Sequence, residues 1–261
     1  MNTISIMQGR LSPAEEGRFQ FFPTDWPAEF ELAKNMGFDG ICWFLDVDRP
    51  NFDPVKDIWQ DPTTLEIIDR TIKTLPIAGI DCGWLDLDLL YDILPALAPR
   101  LSAGIAAIPL LEDKAPKSES DWDAAGLILK RLSAKAKTLQ LRLALETELP
   151  AEKLKRFLDK LECGNVGVCY DIGNATSYGF DCPEEIRLLG AKIFEVHIKD
   201  RKVGGASFLL GEGDAKFADC FAALKEIGYG GGYTLQAWRG DDYLADAKLQ
   251  LAFVKNGLNK I

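Results

Sequence analysis

The sequence is poor in histidine, with His197 alone among 261 residues. One histidine excludes every site that needs two, such as the zinc motif of metalloproteases or a histidine-rich metal cluster. Long apolar runs are also lacking, because no stretch approaches the roughly 18 residues that span a bilayer. The first ten residues have neither the basic nor the apolar region of a secretory signal. The sequence therefore predicts a cytoplasmic protein without membrane contact.

Basic side chains are outnumbered, 30 against 40 acidic ones, which gives a formal net charge of −10. Such a surface repels nucleic-acid phosphates and anionic lipids, so no nucleic-acid or membrane partner is expected. The six cysteines show no CxxC pair and no zinc-ligand spacing, and are expected to be mostly buried thiols. These observations leave a small molecule as the expected partner, and they are compatible with a homo-oligomer.

Short β-like runs alternate with amphipathic stretches along the whole chain, and no Pro/Ser-rich linker interrupts them. The eight candidate strands cover residues 3–7, 40–44, 80–84, 104–109, 141–146, 166–171, 193–199 and 233–237. Eight βα units in about 250 residues predict an α/β fold, a single (β/α)8 TIM barrel domain over residues 1–261. The alternative is a doubly wound open sheet, but the segment after the first strand lacks its usual glycine fingerprint.

Strand alternation selects one set of side chains for the barrel interior. Since mostly apolar side chains occupy the helix-facing positions of the last four strands, the other positions of these strands point inward. Glu146, Asp171, His197 and Gln236 then converge near the C-terminal strand ends, where barrel enzymes carry their chemistry. Oxygen ligands with one imidazole suit Mn²⁺, Mg²⁺, Co²⁺ or Zn²⁺. The alternative is a hydrogen-bonded plug at the barrel mouth, with the buried carboxylates balanced by Lys199 or a proton.

The first strands predict an apolar wall opposite these polar groups. Met7, Cys42 and Cys82 are expected in the interior as core, and Trp84 either stacks on a sugar or is core. Deeper in the interior, Arg142 and Glu195 are expected to form an ion pair. The eighth strand is expected to point Trp238 inward together with Gln236.

Several motifs span nearly the whole chain: MQGRLSP at 7–13, AKNMGFDGICWF at 33–44, LALETE at 143–148, VCYDIGN at 168–174, VHIKD at 196–200 and GEGD at 211–214. On the basis of these six motifs, the chain resembles the xylose-isomerase-like barrel superfamily, in particular its sugar phosphate isomerase/epimerase group. The resemblance implies a metal held by Glu146, Asp171, His197 and Gln236, the same four residues that strand alternation selects. It also implies proton abstraction next to a carbonyl through an enediolate.

Three positions depart from the family pattern, and each departure removes an ionisable group. Gln236 stands where the family has a glutamate, Cys42 replaces a glutamate of the second strand, and Asn174 replaces a histidine. An epimerase needs acid/base groups on both faces of its planar intermediate, and Gln236 cannot accept a proton. Glu146 alone suffices for a 1,2-shift between aldose and ketose. The sequence therefore favours one-base isomerisation over two-base epimerisation.

Further candidates surround this set. Lys199 is a second catalytic candidate that contacts a substrate oxygen, or it pairs with Asp171. Trp84, Glu148 and Asn174 are candidate substrate contacts, each with a structural alternative: core, loop or turn residue. Basic side chains collect after the seventh and eighth strands, where barrels often bind phosphate. The candidate substrate or anion contacts among the arginines are Arg10, Arg201 and Arg239.

The function expected from the sequence is a metal-dependent isomerase or epimerase of a sugar or sugar phosphate. The alternative is a catalytically impaired, carbohydrate-binding barrel of the same family, because Gln236 replaces the expected glutamate. A nuclease is excluded, since it would need several histidine ligands and a basic face for DNA.

Overall fold

The computed structural model describes residues 3–15, 18–46 and 62–260, and its centre is a closed barrel of eight parallel strands. Around the barrel the strands follow the order β1, β10, β7, β6, β5, β4, β3, β2. The barrel strands are β1 (Ile4–Met7), β2 (Gly40–Phe44), β3 (Ile77–Asp81), β4 (Ile105–Leu110), β5 (Arg142–Thr147), β6 (Val166–Asp171), β7 (Ile193–Ile198) and β10 (Gly232–Leu235). The predicted (β/α)8 TIM barrel is confirmed, and the open sheet is excluded.

Helices follow the strands along the described chain. They are α1 (Trp26–Met36), α2 (Pro62–Thr74), α3 (Leu87–Leu101), α4 (Glu119–Thr138), α5 (Ala151–Leu161), α6 (Ile172–Ser177), α7 (Cys182–Leu189), α8 (Phe217–Glu226) and α9 (Tyr243–Asn259). Two short strands, β8 (Asp200–Arg201) and β9 (Ser207–Phe208), pair antiparallel in the loop after β7. Across the described residues, no helix combines the length and apolarity that crossing a membrane requires.

The main hydrophobic core lies between the strands and the surrounding helices. Leu143 and Leu145 of β5 are fully buried there, as the alternating pattern predicts. Trp43 of β2 is also fully buried, and its ring packs against Phe22 and Trp26 at centroid distances of 5.1 and 5.3 Å. Because these outward side chains fill the outer layer, the opposite side chains of the same strands are left to line the barrel interior.

In the part of the chain that the structure describes, two small apolar clusters occupy the interior. One joins Ala144 and Cys169 with β4 residues, and the other joins Met7, Cys42 and Phe44. The predictions that Met7 and Cys42 lie inside the barrel as core are confirmed. In the second half of the chain, the inward-pointing positions near the C-terminal ends of the strands carry the polar side chains of the candidate site.

The VHIKD and GEGD motifs meet in the loop after β7. Asp200 is fully buried, and its carboxylate accepts hydrogen bonds from the backbone N–H groups of Gly211, Gly213 and Ala215 at 2.8, 2.9 and 3.1 Å. A Cβ atom at Gly213 would collide with Asp200 Oδ1, so only glycine fits there. The two motifs therefore form one structural unit that fixes the loop beside Lys199.

The third strand differs most from its prediction, because β3 ends at Asp81 rather than running over residues 80–84. Cys82 belongs to the outer core instead of the interior, which corrects its predicted orientation. Trp84 lies in the loop after the strand. The apolar run that suggested the strand therefore includes the start of this loop, and Asp81 takes the inward position at the strand end.

Two further predictions from strand alternation are wrong. Arg142 is the first residue of β5 and is exposed at the N-terminal rim of the barrel, where its guanidinium stacks on Phe194 at 5.0 Å. It forms no ion pair with Glu195 among the described residues. Trp238 lies beyond the end of β10 and is 38% exposed, so it does not point into the barrel. Alternation holds only inside a strand, and both residues lie at or past strand ends.

Candidate functional site

A cavity of about 460 Å³ opens at the C-terminal ends of the barrel strands. This volume lies in the range of pockets that hold small organic ligands. The cavity is lined by Arg18, Phe19, Gln20, Phe44, Asp81, Gly83, Trp84, Pro109, Leu111, Glu112, Glu146, Asn174, Lys199, Arg201, Ser207 and Gln236. Six of the predicted site residues thus line this cavity: Trp84, Glu146, Asn174, Lys199, Arg201 and Gln236.

Glu146 is the last residue of β5 whose side chain points into the barrel, and it is 3% exposed. Its Oε1 accepts a hydrogen bond from Asn174 Nδ2 at 2.6 Å, and its Oε2 lies 3.4 Å from His197 Nδ1. Burial alone would raise the pKa of Glu146, but His197, Lys199 and Asn174 outweigh burial and hold that pKa below its ordinary value. The carboxylate is therefore ionised at neutral pH and able to accept a proton.

Asp171 ends β6 and begins α6. Its Oδ1 caps this short helix by accepting from Asn174 N at 2.7 Å, and its Oδ2 lies 3.1 Å from Lys199 Nζ. Arg201 Nη1 donates to Asn174 Oδ1 at 2.9 Å. Lys199 thus pairs with Asp171, one of its two predicted roles, while it also lines the cavity. Asn174 links the carboxylate of Glu146 to the basic side chains.

His197 is fully buried on β7, directly opposite Asp171 in the strand register. Neither ring nitrogen has a hydrogen-bond partner among the described residues, although Nε2 lies 3.7 Å from Glu195 Oε1. Cys169 lies beside it, and atoms of Glu146, Cys169 and His197 that can ligate a metal lie within 4.8 Å of one another. Strand alternation places Cys169 inside, but its proximity to His197 was not predicted.

Gln236 follows β10 and is 9% exposed at the cavity wall. Its Oε1 is buried without a hydrogen-bond partner in the part of the chain that the structure describes. Of the four predicted metal ligands, Glu146 and His197 lie within 3.4 Å of each other. Asp171 pairs with Lys199, and the amide oxygen of Gln236 accepts no hydrogen bond from the described residues.

The predicted substrate contact Glu148 lies outside the cavity lining. Its Oε1 accepts a hydrogen bond from Glu112 N at 2.6 Å.

Arg10 and Arg239 lie apart from this cavity and line a separate small one between the barrel and α9. Their guanidinium groups stack on aromatic rings, Arg10 on Phe19 at 4.1 Å and Arg239 on Phe21 at 5.0 Å. Burial and the charge of Arg239 lower the pKa of Arg10. Among the three arginines predicted to contact substrate, only Arg201 lines the main cavity.

Asp81 is the functional candidate that sequence reasoning missed. It lines the cavity and is 2% exposed. The apolar run of residues 80–84 placed the strand three residues too far along the chain, which hid the inward position of Asp81. An aspartate two residues before a glycine, Asp81 and Gly83, was the available signal for the strand end.

Comparison with known proteins agrees with the barrel fold. The model of the family described as xylose isomerase-like TIM barrel matches residues 96–256. Among curated relatives, L-ribulose-5-phosphate 3-epimerase UlaE from Salmonella paratyphi C is 39% identical over 69 residues, which are 26% of this chain and 24% of the relative. The enzyme of the same name from Escherichia coli O1:K1 is 38% identical over a segment of equal length. The chain thus aligns with about a quarter of the length of these relatives.

Solved structures share the fold over nearly the whole chain. L-ribulose 3-epimerase has a TM-score of 0.77 at 21% identity, covering 100% of this chain and 95% of that one. D-psicose 3-epimerase from Clostridium cellulolyticum H10, solved with D-tagatose, has 0.73 at 14%, covering 98% and 99%. The IOLI protein with a bound zinc atom has 0.76 at 15%, covering 99% and 98%. The chain belongs to the xylose isomerase-like TIM barrel family.

Proposed function

We propose that this protein is a metal-dependent enzyme that isomerises or epimerises a sugar or sugar phosphate. The proposed reaction moves a proton on the carbon next to a carbonyl group. Support comes from a cavity of about 460 Å³ that has an ionised, buried carboxylate, Glu146, in its wall. The relatives named as ribulose and ribulose-phosphate epimerases act on substrates of this class.

The observation that supports the proposal is that three buried atoms able to bind a metal lack hydrogen bonds within the described residues: both ring nitrogens of His197 and Gln236 Oε1. A buried imidazole whose two nitrogens make no hydrogen bonds lowers the stability of the fold, because these atoms lose their hydrogen bonds to water. The same holds for a buried amide oxygen without a donor, such as Gln236 Oε1. A divalent cation would engage these atoms together with the carboxylate of Glu146. We therefore assign the metal to Glu146, His197 and Gln236, with Asp171 as the fourth ligand. When bound, the metal would polarise the oxygens of the sugar.

Glu146 is proposed as the base that takes the proton from carbon. Its hydrogen bond from Asn174 Nδ2 at 2.6 Å fixes the orientation of the carboxylate. Lys199 and Arg201 are held beside the same asparagine, so they add positive charge where a sugar oxygen or phosphate would lie. Trp84 offers an apolar ring to the carbon face of the sugar. In this scheme Arg10 and Arg239 lie outside the sugar cavity, in a pocket of about 10 Å³ that is too small for a sugar phosphate, and Glu148 positions the rim through Glu112.

A one-base isomerisation is favoured over two-base epimerisation at this site. Gln236 lines the cavity at the position where the family resemblance implies a glutamate, and an amide cannot take up a proton there. Glu146 can remove a proton from one carbon and return it to the neighbouring carbon on the same face.

A panel of sugars followed by NMR in D₂O tests the proposal. The panel contains L-ribulose, L-ribulose 5-phosphate, D-allulose, D-tagatose and the corresponding aldoses, each with Mn²⁺-loaded protein. We expect an aldose–ketose interconversion that places deuterium on the carbon receiving the proton, and none with Glu146→Gln. Rapid inversion at C3 with deuterium at C3 would contradict the one-base assignment. No turnover of any sugar would contradict the enzyme assignment.

The second candidate is a carbohydrate-binding barrel without catalysis. It is favoured by the 3.1 Å contact of Lys199 Nζ with Asp171 Oδ2, because this lysine balances the carboxylate that a metal would otherwise use. Calorimetric titration with the same sugars separates the two. Binding of a sugar in the presence of excess EDTA, with no turnover in Mn²⁺, would favour the binding protein over the enzyme.

A further inference from the structure

Asp81 occupies a fixed position at the end of β3. Its Oδ1 accepts a hydrogen bond from Gly83 N at 2.8 Å, and its backbone carbonyl accepts from Leu45 N at 2.9 Å. Gly83 has a φ of 54°, and a Cβ there would collide with the carbonyl oxygen of Leu45, so the turn requires glycine. Asp81 is therefore held by the backbone on both sides, while its side chain lines the cavity.

The second oxygen of Asp81, Oδ2, has no hydrogen-bond partner within the described ranges of the chain. Among the described residues, three carboxyl groups line the cavity, those of Asp81, Glu112 and Glu146, and Glu112 is exposed at the rim. Asp81 is therefore the buried carboxyl group of the cavity that the proposed reaction leaves without a role. It projects from β3, two strands around the barrel from Glu146 on β5.

The surroundings of Asp81 suit a group that exchanges protons near neutral pH. Burial raises the pKa of its carboxyl to about 6; His197 lowers that pKa, and Glu146 and Glu195 raise it. A carboxyl group with a pKa close to the working pH exists in both protonation states, which general acid/base catalysis requires. Gln236, across the same cavity, has no such proton to exchange.

We propose that Asp81 is a catalytic residue that carries the proton between the two oxygens of the substrate while Glu146 carries the proton between the two carbons. This inference rests on the proposed isomerase function and deepens it. The substrate class is then an aldose or ketose whose carbonyl and neighbouring hydroxyl both reach into the cavity between β3 and β5.

The proton transfers balance in two steps. In the first, Glu146 takes the proton from C2 of the aldose, the C2–H electron pair forms the C1–C2 double bond, and protonated Asp81 gives its proton to O1. The product of this step is an enediol, with Asp81 ionised and Glu146 protonated. In the second step, Asp81 takes the proton from O2, the carbonyl forms at C2, and Glu146 returns its proton to C1. Both side chains then have their starting protonation states.

The substitution Asp81→Asn tests this role. Asparagine keeps the acceptor for Gly83 N but cannot exchange the proton. The assay uses the aldose of the panel that the wild type converts fastest. We expect kcat to fall about 100-fold, because one general acid/base group typically contributes a rate increase of at least this size. We expect KM to stay within about twofold, because the side chain still fills its place. Asp86→Asn, in the exposed loop before α3, is the matched control and should change kcat by less than about twofold.

Three outcomes would decide the question. A kcat of Asp81→Asn within about threefold of wild type overturns the role of Asp81 and leaves the isomerase proposal standing. A wild type that converts no sugar overturns both. If Asp81→Asn does not fold, as judged by circular dichroism, the variants Asp81→Glu and Asp81→Gln make the same comparison at equal size. The glutamate variant should then be at least about tenfold faster than the glutamine variant, and equal rates would overturn the proposal.

Discussion

The two halves of the barrel differ in what they place inside. Strands β5 to β7 contribute the charged or polar side chains of Glu146, Asp171 and His197, which lie in contact with one another or with Lys199. Strands β1 and β2 contribute an apolar cluster that includes Met7. Buried charges are tolerated where they find partners, so the polar groups of β5 to β7 lie together, while the cluster of β1 and β2 supplies packing. Truncations in the cluster of β1 and β2 should therefore lower stability, and substitutions of the polar groups should lower activity.

The largest effect is expected from Glu146→Gln. The substitution keeps the hydrogen bond from Asn174 but removes the proton acceptor and one metal ligand. We expect kcat for the preferred sugar to fall about 1,000-fold or more, with the melting temperature almost unchanged. Stopped assays by NMR measure the rate. The control Glu152→Gln, on the exposed start of α5, should leave kcat unchanged, and a similar loss in both variants would contradict the assignment.

The opposite half is tested by Met7→Ala. Met7 is fully buried in the interior cluster, so its truncation leaves a cavity. We expect the free energy of unfolding in urea to fall by about 3 kcal/mol, and kcat of the folded protein to change by less than about threefold. Leu127→Ala, at a side chain that is 69% exposed, should change the free energy of unfolding by less than about 0.5 kcal/mol. If Met7→Ala lowers kcat more than about threefold and leaves the free energy of unfolding almost unchanged, the assignment of a packing role to this half would be contradicted.

A smaller effect is expected from Asn174→Ala. This side chain orients Glu146 and contacts Arg201, but it carries no proton in the proposed reaction. Loss of an orienting hydrogen bond to a ligand typically reduces activity by about 10-fold, and we expect a decrease of this size in kcat. Asn174→Asp would place a negative charge beside Glu146 and should be slower still. An alanine variant as fast as wild type would show that Glu146 needs no support from this position.

A gain in metal affinity, and not a loss of rate, is expected from Gln236→Glu. A carboxylate at this position adds one negative charge to the site, so we expect Mn²⁺ to bind about 10-fold more tightly. Titration calorimetry of the protein stripped with chelator measures the affinity. The control Gln140→Glu lies at the surface turn before β5 and should leave the affinity unchanged. Equal affinity of Gln236→Glu and wild type would remove Gln236 from the ligand set.

The polar half of the site could be predicted from the sequence because its strands are long. Strands β5, β6 and β7 have six residues each, and their alternation selects Glu146, Asp171 and His197. The register of β6 against β7 shifts between Val168 and Cys169, before the strand ends that carry the aspartate and the histidine. The inward set of each strand is then fixed by the outward leucines, valines and isoleucines.

The first half could not be predicted as well, since apolar residues continue beyond its strands. In β3 the run past Asp81 into Trp84 obscures the strand end, and the predicted register is shifted. Long-range contacts such as the stacking of Arg10 on Phe19 leave no periodic pattern either. The proximity of Cys169 to Glu146 and His197 depends on side-chain orientation, which alternation does not specify.

The central claim is that Glu146, Asp171, His197 and Gln236 hold a catalytic metal. Elemental analysis of the protein, purified without chelator and then equilibrated with Mn²⁺, tests it most directly beside the double variant Glu146→Ala/Asp171→Ala. We expect about one equivalent of divalent metal per wild-type chain and almost none in the double variant, with the circular dichroism of both unchanged. If the wild type retains no metal after addition of Mn²⁺, these four residues do not form a metal site.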